Sequence, residues 1–159
     1  MTTSHSFRRA RWWLGISLGG ALASITAGGG CGHWSGPSHE SWPMKNAVQV
    51  RAASGSVRVV DTSGGDTTLE LDVQHLTQAR EAFAGKRTYV VWIQSDAGGP
   101  PENEGELQLD ADLKGKLRTR TPFRQFHVFV TAEPQANVTE PSDERVLDTA
   151  VTLPTESTG

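Results

Sequence analysis

Short runs in which apolar and polar residues alternate begin near residue 46 and recur to residue 153. Val48 and Val50 alternate with Gln49 and Arg51, and Val57 and Val59 flank Arg58. Leu69, Leu71 and Val73 alternate with Glu70 and Asp72, the clearest period of two in the chain. Leu107 and Leu109 follow, then Leu117, then Phe126, Val128 and Val130, and last Leu147, Thr149, Val151 and Leu153. Alternation of this kind predicts half-buried strands with one face to water. The run 88–94, TYVVWIQ, is apolar on both faces and predicts a central strand. Tyr89 and Trp92 then fall on opposite faces, each filling a core position with its polar atom bonded at the rim.

Gly- and Pro-rich breaks separate these runs, at 53–55, 63–66, 98–101 and 114–115. The segment 76–84, LTQAREAFA, is the one helical pattern, with Leu76 and Phe83 placed to pack on a sheet edge. Seven to eight short strands with such spacing predict an all-β, immunoglobulin-like antiparallel sandwich over residues 46–153, with one short helix.

Ahead of it the pattern is different. Residues 1–11 are polar and contain Arg8, Arg9 and Arg11, and residues 12–27 are apolar and uncharged. Gly28, Gly29 and Gly30 lead to Cys31, the single cysteine in 159 residues. A basic start, an apolar stretch and a small-residue exit predict a signal peptide over 1–31. Sixteen apolar residues are short for a membrane span. The cysteine resembles that of a bacterial lipobox, which becomes the lipidated first residue of the mature chain. Ordinary cleavage after Ala27 is the alternative, and Arg8-Arg9 only loosely fits a twin-arginine signal. With multiple acyl chains on Cys31 the membrane is the expected first partner. In a Gram-negative cell Gly32, in place of an Asp, favours the outer membrane over the inner one; the expectation is a lipoprotein of the outer membrane or of another cell membrane, facing the periplasm or the exterior.

Residues 32–45 have no period and are rich in Gly, Ser and Pro, which predicts a flexible tether. Residues 154–159 predict a disordered tail. His33, His39 and Glu40 carry metal-binding chemistry, but their spacing matches no zinc pattern and an acylated Cys31 cannot join them. Charge changes the functional picture. The first 31 residues have three Arg and no acid, which leaves 12 Lys/Arg against 18 Asp/Glu afterwards. An acidic balance is unfavourable for nucleic acid, whose phosphates need a basic face.

The order of Gly85, Tyr89, Trp92, Gly105, Leu107 and the run Thr131-Ala132-Glu133-Pro134, with Pro141 after it, resembles the extracytoplasmic C-terminal sandwich of anti-sigma-K factors. The resemblance covers about residues 55–152. It implies the sensor-side sandwich. The helical sigma-binding domain and membrane helix of that family have no counterpart here, a signal segment standing in their place.

Candidate chemistry is sparse. Residues 61–66, DTSGGD, are similar to a calcium loop but lack Gly at the sixth place, and Asp72 belongs to a strand, so a hairpin turn is expected. Glu102, Glu104 and Glu106 lie in a polar stretch where solvation favours ionised carboxylates. His75 and His127 sit on or beside strands. Asn137-Val138-Thr139 is a glycosylation acceptor only in a secreted eukaryotic chain. No nucleophile elbow, phosphate loop or zincin motif occurs. The expectation is a non-catalytic binding or structural protein of the cell envelope, without cofactor or metal, whose partner is an envelope protein or polymer. Its binding loop would span 96–104, with Asp96, Glu102 and Glu104. The alternative is a small periplasmic enzyme or metal-binding protein on the same sandwich.

Overall fold

The computed structural model of the chain describes residues 40–154. The signal peptide, Cys31, His33, His39 and the tail beyond Pro154 lie outside the described residues. Eight strands, β1 (Ser41–Asn46), β2 (Ser54–Asp61), β3 (Thr67–Gln74), β4 (Thr88–Ser95), β5 (Glu102–Glu106), β6 (Gly115–Thr121), β7 (Gln125–Glu133) and β8 (Arg145–Thr152), form one antiparallel ladder. A single helical turn, α1 (Ala79–Ala82), joins β3 to β4. The fold is all-β, as the alternation predicts.

Spatial order is β5-β4-β7-β8-β1-β2-β3-β6. Two layers result, β5-β4-β7-β8 facing β2-β3-β6, with chain crossings of the immunoglobulin-like kind. β1 joins them on one side. Its first half pairs with β2 and its last two residues with β8. The ladder therefore closes around the core except at the seam between β5 and β6, its two ends.

β1 corrects the reading of residues 32–45 as a tether, since the strand begins at Ser41. Met44 is buried and Trp42 packs against the core. Pro43 disguised the strand, but this half of β1 has no second neighbour, and an edge is where a strand tolerates proline. Val48–Val50 are a correction too. They form a 3-10 turn, not a strand, with Val50 buried and Val48 68% exposed. The Asn46 side-chain amide holds this turn by donating to the carbonyls of Arg51 and Ala53, both at 2.9 Å.

The other alternating runs have the expected faces. Val57, Leu69, Leu71 and Val73 meet Tyr89, Val91, Ile93, Phe126, Val128, Val130, Leu147 and Val151 in one core. Leu76 and Phe83 close its end beside α1. Val59, Leu109 and Leu117, expected inside, are only partly buried at its margin. The 63–65 turn between β2 and β3 is a hairpin connection in which Gly64 and Gly65 take φ of 74° and 86°, which glycine adopts freely. β4 is central, lying between β5 and β7.

These faces set a contrast. Val91→Ala, inside the core, is expected to cost about 1–3 kcal/mol through lost methyls and a residual cavity. Glu70 points outward to Arg58 and Lys116. Glu70→Ala is expected to cost at most about 1 kcal/mol, the range of solvent-exposed ion pairs. Urea titration of both variants checks the contrast, and equal losses would contradict the register.

Candidate functional site

The segment expected to be a binding loop is only half a loop. Residues 96–101 connect β4 to β5, but Glu102 and Glu104 lie on β5, an edge strand of the ladder. That corrects the sequence reading of a flexible 96–104 loop. Asp96, in the turn after β4, faces His127 of β7, with Oδ1 3.3 Å from Nε2. It is thus apart from the glutamates. His75 stands in the turn after β3 with φ of 56° and does not join His127.

Three glutamates at alternate positions would share one face in a regular strand. They do not here. Val91 pairs with Gly105 and Trp92 with Asn103, so Glu104 is the extra residue of a β-bulge. The Asn103 side-chain oxygen accepts from Gly105 N at 2.9 Å and holds the bulge. Bulges re-aim side chains. This one carries the Glu104 carboxylate across the seam, where the Thr119 hydroxyl of β6 donates to it. The bond joins the two end strands of the ladder. Glu106, by contrast, accepts from the Thr88 hydroxyl at 2.5 Å, within its own sheet.

Burial in the seam pushes the Glu104 carboxyl above its ordinary value; the Thr119 bond opposes this and the nearby Glu102 charge adds to it. A raised folded pKa means that the native chain holds more protons than the unfolded one above 4.5, the ordinary value. Stability from this group is therefore present below that pH and is lost as pH rises through the shifted value. Glu104→Gln should remove that decline. Urea midpoints of both proteins across the acidic range test it, and identical pH profiles would contradict the seam geometry.

A second polar cluster lies on the outer face of the β5-β4-β7-β8 layer. Trp92, Val90 and Phe129 point away from the main core and are fully buried. The segment 134–144 covers them, with Val138 packed against the group. Trp92 and Phe129 stack at 6.4 Å between ring centroids, and the Arg145 guanidinium lies 3.9 Å from the Phe129 centroid. Trp92 Nε1 donates to Thr131 Oγ1 at 2.8 Å, and Thr131 in turn donates to Glu133 Oε1 at 2.6 Å. Glu133, 2% exposed, also accepts from Ser142 N at 2.7 Å. Asn103 Nδ2 donates to the carbonyls of Ala136 and Val138. Tyr89, on the inward face, donates its hydroxyl to Thr77 O at 2.6 Å, and burial followed by the Glu81 charge pushes its pKa up to about 12. Of the positions singled out in the sequence, Trp92, Thr131 and Glu133 thus serve to fasten a loop over a sheet, while Tyr89 fills the main core.

Comparison with protein-family models and with curated proteins finds no match to the chain.

The outer face of β2-β3-β6 carries several ion pairs. Arg58 pairs with Glu70, Lys116 with Asp72 at 2.9 Å, and Arg120 with Asp66 at 3.5 Å. Asp66 of the calcium-like run and Asp72 of β3 are thereby directed to different cations and do not converge. Among the described residues no three His, Cys, Asp or Glu side chains are grouped to hold a metal ion, and no helix is long and apolar enough to cross a membrane.

Proposed function

We propose that the protein is an exported, membrane-tethered, non-catalytic binding or scaffolding component of the bacterial cell envelope. The observation that carries the reading is how the strands divide their side chains. Inward positions form a filled apolar core, while the polar groups of β2, β3 and β6 form a cross-strand lattice of charges turned to solvent. A rigid sandwich that displays a charged face suits recognition of an envelope protein or polymer. The basic and apolar N-terminal segment, ending at Cys31, supports export and lipid anchoring. The resemblance to the sensor-side sandwich of anti-sigma-K factors supports an extracytoplasmic setting.

Glu104, a half-buried carboxyl with a raised pKa, is the observation on the side of a small enzyme. One experiment separates the two readings. The full-length protein in mild detergent is incubated with purified peptidoglycan sacculi. Saturable co-sedimentation with the sacculi intact is expected. Release of soluble fragments that stops with Glu104→Gln would establish the enzyme instead. Protease added to spheroplasts should digest the domain, and protection from it would overturn the exported reading.

A further inference from the structure

The charged face of β2-β3-β6 holds an open cleft of about 510 Å³, lined by Asp61, Thr68, Arg118, Thr119 and Arg120. Strand register explains why it is there. Asp61, Thr68 and Arg120 lie in one row across β2, β3 and β6, and Glu70 and Arg118 are partners in the next row. Glu70 is the natural ion partner of Arg118. It is instead taken by Arg58 from the opposite strand and approached by Lys116 at 4.0 Å. Arg118 is left without an ion-pair or hydrogen-bond partner among the described residues.

A second, independent observation comes from the cleft floor. Thr68 is 7% exposed, and its hydroxyl has no hydrogen-bond partner among the described residues. Yet no side-chain oxygen or nitrogen in the described residues is sealed away without a partner, so this hydroxyl opens into the cleft. A hydroxyl with an unused donor that opens into the cleft, beside a guanidinium with an unused fork, is a ready receptor for an oxyanion.

We infer that this cleft binds a carboxylate, with the Arg118 guanidinium as its principal contact and the Thr68 hydroxyl as a second donor. Charge favours a single carboxylate over a multiply charged phosphate. Arg120 is already held by Asp66, and Asp61 places negative charge in the wall. The planar guanidinium fork matches a carboxylate with two parallel bonds. A small solute and the C-terminus of a short peptide share this chemistry. The inference rests on the reading of the sandwich as a binding module, and it names the group that the module recognises.

The test uses the isotope-labelled full-length protein in mild detergent, followed by amide resonances during titration. Acetate, N-acetyl-glycyl-glycine and inorganic phosphate are the probes. Saturable shifts at Thr68 and Arg118–Arg120 are expected with the carboxylates and not with phosphate. Tighter binding of the peptide than of acetate assigns the cleft to a chain end, and equal binding assigns it to a small solute. Arg118→Gln should weaken binding roughly tenfold or more, as expected for loss of a charge-assisted bond. Thr68→Val, which keeps the side-chain shape, should weaken it by a smaller factor. No saturable shift, stronger phosphate binding, or unchanged affinity in folded Arg118→Gln would overturn the proposal. Each of those results can coexist with binding to sacculi, whereas enzymatic turnover of sacculi would sink the broader reading and leave the carboxylate contact standing.

Discussion

Trp92→Ala should cost about 3–5 kcal/mol, the range for removing a fully buried large aromatic side chain. By strand alternation Trp92 lies on the outer face of its sheet, where a substitution is ordinarily worth within about 0.5 kcal/mol. The difference comes from the covering segment 134–144. Removing the indole takes away the largest member of the group on which Val138 packs, the stack on Phe129 and the donor to Thr131. The loop is still fastened by Asn103 and by Ser142 to Glu133, so the cavity cannot fully collapse. Urea unfolding measures the loss. Trp92→Phe should recover much of it, since the ring returns and only the N–H bond is missing, about 1 kcal/mol. A loss below about 1 kcal/mol for Trp92→Ala would mean that the loop does not cover this face in solution.

Cys31→Ala should act in an all-or-none way on membrane attachment. Each acyl methylene buried in a bilayer contributes about 0.8 kcal/mol, and two or more chains hold a protein stably. Cells given an alkyne fatty acid should label the native protein and not the variant, and the variant should move from the membrane pellet to the soluble fraction. Intact mass distinguishes the two processing routes. Lipidation gives a mature chain that begins at an acylated Cys31. Cleavage after Ala27 gives one that begins at Gly28 with an unmodified thiol. Unchanged membrane retention without label would overturn the lipoprotein reading.

Alternation within a strand is a local property, and it was legible. The outward positions of β3 and the two apolar faces of β4 can be read from a few residues each, because successive side chains alternate across a sheet. The all-β class followed from the number of such runs and the turns between them. β1 and β5 escaped for opposite reasons. Ser-Trp-Pro-Met-Lys-Asn reads as linker because of its proline, which only its position beside a half-empty edge makes harmless. Glu-Asn-Glu-Gly-Glu has no apolar residue, because the strand sits at the end of the ladder and packs little of its own side-chain surface. Val48-Gln49-Val50 shows the reverse error. It alternates like a strand, but the Asn46 amide turns the backbone into a 3-10 helix.

The amino-acid sequence by itself determined the fold class, the inward faces of most strands and the chemical types available on the surface. Only the tertiary structure decided which of those groups meet. Trp92 is buried on an outer face because a segment some forty residues later folds over it. Glu104 crosses to Thr119 because one extra residue in β5 shifts the pairing with β4. Arg118 has no ion partner among the described residues because Glu70, its register partner, is claimed from the other neighbouring strand. A strand encodes its own two faces within a few residues. Its neighbours, its bulges and whatever covers its outer face are set by chain segments far away, and local periodicity carries no record of them.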